Sequence, residues 1–66
     1  MEITEQVRTL RCAIHNAGSF YATLAQAGLY ADPVNRARLL GYFPELVSDY
    51  GPNSRLYDRM YSLEQV

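Results

Sequence analysis

Cysteine and histidine are scarce among these 66 residues, with one of each. One cysteine excludes an internal disulfide, and with one histidine beside it the chain cannot build a structural zinc site of its own. Cys12 and His15 lie three residues apart, but two ligands do not make a site. As a nucleophile and base they have no third group to orient them. No glycine-rich phosphate loop is present, no pair of carboxylates is placed for acid–base work, and no strand alternation appears. No cofactor and no enzymatic activity are expected. No apolar run approaches a membrane span, and Met1-Glu2-Ile3-Thr4-Glu5 lacks the pattern of a signal peptide. The expectation is a soluble, cytoplasmic protein.

Charge of one sign is lacking too. The net charge is −1, and acids and bases alternate along the chain. Arg8 and Arg11 balance Glu2 and Glu5; Arg36 and Arg38 face Asp32, Glu45 and Asp49; Arg55 and Arg59 meet Asp58 and Glu64. A basic stripe of the kind that displaces counterions from nucleic acid is not visible. Lysine is absent altogether, and all six cations are arginine.

What is present is apolar periodicity. Ile3, Val7, Leu10, Ile14, Ala17, Tyr21, Leu24 and Gly28 follow one another at alternating steps of four and three, the spacing of one seam down an α-helix. Ala13, Phe20 and Ala27 widen that face, whereas Glu5, Cys12, Ser19 and Gln26 form a polar stripe. The pattern predicts one long helix, Gln6–Ala27, with Thr4 as its N-cap, Gly18 inside it and Gly28 ending it. Small residues around Gly18 predict a close helix crossing near Ala17. A helix of about 25 residues runs roughly 38 Å. Such a seam either packs on its own chain or zips to a second copy.

Shorter helices follow. Asp32-Pro33 is an N-cap followed by proline at the first helical position, and Val34, Ala37 and Leu40 are expected to face inward, with Leu39 on the flank. Pro44 ends that helix and opens a third, Pro44–Tyr50, whose Phe43, Leu46, Val47 and Tyr50 share a face. Gly51-Pro52 stops it. Asn53 or Ser54 caps a last helix over Arg55–Glu64, striped by Leu56, Met60 and Leu63. A chain this short forms one domain, residues 1–66, and needs good helix packing or a partner to be stable. The predicted fold is all-α: a long N-terminal helix with two or three short helices packed back on it, paired as a homodimer through Leu10, Ile14, Ala17, Tyr21 and Leu24.

Six tyrosines and two phenylalanines are more aromatics than so small a core can hide. Tyrosine and arginine dominate protein–protein hot spots because each offers a large surface with a polar end. Arg36, Arg38, Tyr42, Tyr57 and Tyr61 are therefore the candidate partner-facing residues, and Tyr42, at the break before Pro44, is the one expected to protrude. Two other function classes compete with this reading. Leu24–Leu29 resembles the turn of a helix-turn-helix, with Asn35, Arg36 and Arg38 able to reach DNA from the next helix. The link through Asp32-Pro33 is read as long for that turn, and the basic charge is thin. A subunit of a larger assembly is the third.

In its size, its long first helix, its all-arginine cations and the stretches Gly28-Leu29-Tyr30-Ala31-Asp32 and Gly41-Tyr42-Phe43-Pro44-Glu45-Leu46, the chain resembles the small helical proteins that temperate phages make early in infection. Among these it is most similar to the anti-quorum-sensing anti-activators. The resemblance implies a homodimer in the host bacterial cytoplasm that binds a LuxR-type transcription activator and masks its DNA-binding domain. It also implies a second host partner, such as a pilus-assembly ATPase. No residue role carries over from it.

Overall fold

The computed structural model describes residues 1–62, and over these the chain is all-helical. Five helices follow one another: α1 (Ile3–Asn16), α2 (Ser19–Tyr30), α3 (Pro33–Tyr42), α4 (Pro44–Tyr50) and α5 (Arg55–Tyr61). Leu63 and Glu64, the end of the predicted last helix, lie outside the described residues.

The predicted long helix is two helices. Ala17 (φ −85°, ψ 166°) and Gly18 (φ −71°, ψ 177°) are extended, and the chain doubles back there, so that α2 packs along α1 more extensively than any other pair of elements. A rod of roughly 38 Å would overrun a molecule whose longest dimension is 32 Å. Folding the seam at its middle lets its two halves bury each other. Leu10, Ala13 and Ala25 become core together with Leu40 and Leu46, and Ile14, Tyr21, Leu24 and Leu29 pack against them.

The close crossing falls at Gly28, not at Ala17. A methyl group on Gly28 would come within 3.0 Å of Leu10 Cδ1, whereas one on Gly18 would meet nothing within 4 Å. Gly28 thus sits inside α2, which continues to Tyr30. At the other end Glu2, not Thr4, is the N-cap of α1, and the Glu5 carboxylate accepts from the Glu2 N–H at 3.0 Å. Thr9 and Cys12 are fully buried beside the core. The Thr9 hydroxyl donates to Glu5 O at 2.7 Å, and the Asn16 side-chain amide donates to Cys12 O at 2.8 Å.

The later helices begin where local chemistry starts them. Asp32 accepts from the Asn35 N–H at 3.1 Å with Pro33 at the first turn of α3. Phe43 ends α3 and precedes Pro44 of α4. Ser54 caps α5 by accepting from the Tyr57 N–H at 3.3 Å. The inner face of α3 differs from expectation. Leu40 is buried and Leu39 and Arg36 half-buried, while Val34 and Ala37 face outward.

Candidate protein-binding surface

The reason α3 turns this way is Arg36. Its Nε donates to Gly28 O at 2.9 Å, and its Nη2 donates to Leu29 O and Ala31 O, each at 3.1 Å. These carbonyls belong to the last turn of α2 and the residue beyond it, where a helix leaves most of its acceptors short of partners and carries partial negative charge, although Gly28 O also accepts from the Ala31 N–H at 3.3 Å. A planar guanidinium suits three convergent acceptors better than an ammonium does. Arg36, expected on the partner-facing side, is instead the clamp that sets α3 against the end of α2.

With Arg36 inward, the opposite side of α3 projects Val34, Arg38 and Tyr42, which are spaced four residues apart and so share one face. Val34 is 62 % exposed, Tyr42 is 79 % exposed, and Arg38 is exposed as well. Arginine and tyrosine are among the side chains enriched at protein-contact hot spots. The other two tyrosines lie elsewhere. Tyr57 and Tyr61 meet on α5 with their rings tilted by 51° and centroids 5.3 Å apart, and the Arg8 guanidinium of α1 sits 5.4 Å from the Tyr61 centroid. With Asp58 and Ser62 these residues line a shallow open groove. Because α3 packs on α2 and α4 while α5 packs on α1 and α4, the five predicted partner residues divide into an α3 pair, an α5 pair and one structural arginine.

The predicted dimer seam is also redistributed. Leu10 is 0 % exposed and cannot meet a second copy. Ile14, Tyr21 and Leu24 are half-buried against the core, and Ala17 is the extended residue that ends α1. Tyr21 is further engaged by its hydroxyl, which donates to Glu45 Oε2 at 2.6 Å and ties α2 to α4. That hydrogen bond raises the Tyr21 pKa and lowers that of Glu45.

Cys12 and His15 do not converge: the thiol is buried and the imidazole exposed. Burial pushes the Cys12 thiol upward in pKa, which makes it a poor nucleophile. Among the described residues no group of three or more His, Cys, Asp and Glu side chains could hold a metal ion. No helix among them is long and apolar enough to cross a membrane.

Of the outer face of α2, only Leu24 is among the predicted site residues. Phe20 is 62 % exposed and Tyr30 is 90 % exposed, although the Phe20 ring keeps edge contacts to Tyr21 and Phe43 at centroid distances of 5.0 and 6.2 Å. Ser19, Phe20, Thr23, Leu24 and Ala27 line a broad apolar depression on this face. The signal in the sequence is an absence: from Cys12 to Ala31 no residue is Asp, Glu, Lys or Arg.

No protein-family model matches this sequence, and no curated protein or solved structure matches it.

Proposed function

We propose that this protein is a non-catalytic protein-binding module, homodimeric, that inhibits its partner by covering it. The observation that carries the reading is the α3 row, in which Val34, Arg38 and Tyr42 stand in solvent from one face of a helix. A rigid helix presenting an aromatic and a guanidinium docks at little entropic cost, since its backbone is already ordered. A LuxR-type transcription activator is the first partner to test, in keeping with the anti-activator resemblance, and a pilus-assembly ATPase the second.

A small DNA-binding regulator is the competing reading. The α2–α3 link is only Ala31 and Asp32, shorter than expected and closer to a helix-turn-helix. Against it, Arg36 points into the fold and Asp32 places a carboxylate at the end of α3 that would enter a groove. Affinity capture from bacterial lysate with and without nuclease separates the two. The protein-binding reading expects a stoichiometric partner that survives nuclease, is lost with Tyr42→Ala and is retained with Tyr57→Ala. Unchanged capture by Tyr42→Ala would remove the α3 row from the assignment. Recovery only of DNA-associated proteins, lost on nuclease treatment, would favour the DNA reading.

A further inference from the structure

We infer that a second copy of this chain covers the outer face of α2. This rests on the homodimeric reading above and names its surface. The twelve residues of α2 contain no charged side chain, while six basic and seven acidic residues lie elsewhere in the chain. A face without charge offers nothing to a charged partner. It does suit an isologous contact, in which the same strip meets itself across a two-fold axis and any charge on it would meet its like.

The area agrees. Phe20 and Tyr30 expose 62 % and 90 % of their surface. At about 200 Å² for an aromatic side chain this amounts to roughly 300 Å² per copy, or roughly 600 Å² for two. The smaller residues between them, Ser19, Thr23 and Ala27, together with the exposed edge of Leu24, bring the total available to about 1,000 Å², the lower end of what a specific interface buries. Because Ser19, Thr23 and Ala27 are small and lie four residues apart, a second helix can approach closely between the two aromatics. Val34, Arg38 and Tyr42 of the α3 row are not among these residues.

Sedimentation of the full chain at micromolar concentrations tests the assignment, with helicity followed by circular dichroism. Wild type is expected to be a dimer. Thr23→Arg and Ala27→Arg, both at exposed positions, should remain helical and raise the dimer dissociation constant about tenfold or more, since each places like charges together in an apolar contact. Tyr42→Ala should remain dimeric. In wild type the ring resonances of Phe20 and Tyr30 should shift on dilution, a readout that needs no variant. A monomeric wild type would overturn both this surface and the homodimeric reading. A dimer that persists in both arginine variants, with Phe20 and Tyr30 unmoved on dilution, would overturn the α2 surface alone.

Discussion

Replacing Arg36 separates a structural clamp from a recognition residue. Its guanidinium makes three hydrogen bonds to the carbonyls of Gly28, Leu29 and Ala31. Each is worth about 1 kcal/mol net where water can partly replace it, so Arg36→Ala should lose about 2–3 kcal/mol. A domain of this length has a total stability of about 3–10 kcal/mol, so the loss is a large fraction. It corresponds to a fall in Tm of about 10–20 °C. Arg36→Lys keeps a cation at the C-terminal end of α2, worth about 0.3–1 kcal/mol, but cannot fork to three acceptors, and should recover less than half of the deficit. Urea and thermal unfolding followed by circular dichroism measure both. If Arg36→Ala unfolds with the wild-type midpoint and only partner capture fails, the clamp is not what Arg36 does and the side chain belongs with the recognition surface.

Two further perturbations follow from contacts already described. The Tyr21–Glu45 bond makes stability depend on pH at both ends of the scale. Glu45 has a lowered folded pKa, so its contribution is present above the ordinary carboxylate range and is lost as pH falls through the folded value; Tyr21 has a raised one, so its contribution is present below the ordinary tyrosine range and is lost as pH rises through the folded value. Tyr21→Phe should flatten both limbs in unfolding curves taken across pH, and an unchanged profile would assign the dependence to other groups. Gly51 is limited by space, since its φ of −86° is ordinary but a Cβ there would lie 2.5 Å from Val47 O. Relief disturbs the Gly51 N–H to Val47 O and Ser54 N–H to Gly51 O bonds. Gly51→Ala should therefore cost about 1–2 kcal/mol. Gly41→Ala, with open space around it, should gain about 0.5–1 kcal/mol. Equal midpoints for the two variants in urea would contradict the steric argument.

The starts of α3, α4 and α5 were legible because each is written in neighbouring residues: Asp32 before Pro33, Pro44, and Ser54 after Gly51-Pro52. The break at Gly18 was not. Gly18 brings no side-chain cap to α2, no proline follows it, and a seam spaced at three and four fits one straight helix as well as two helices facing each other. The choice is made by tertiary burial, which periodicity does not contain. Arg36 escaped for a similar reason: its acceptors lie five to eight residues back, beyond the reach of helix-surface rules, and its inward turn carries Val34 outward. Tyr42 was legible from its place before the Phe43-Pro44 break. Phe20 and Tyr30 are obscured because the first falls within the widened seam and the second lies past Gly28, where the periodicity ends the predicted helix although α2 continues to Tyr30.

The lone thiol of Cys12 has a consequence of another kind. It is 0 % exposed on α1, one turn from Arg8 and Asn16, which line grooves shared with α5, and it is the only cysteine in the protein. A thiol reagent can reach it only when the packing around α1 opens, and burial raises its pKa until then. The rate at which native protein is alkylated is therefore a clock for that opening, built in without labelling. Anything that stabilises the folded packing of α1, a second copy included, should slow the clock in proportion to how tightly it binds.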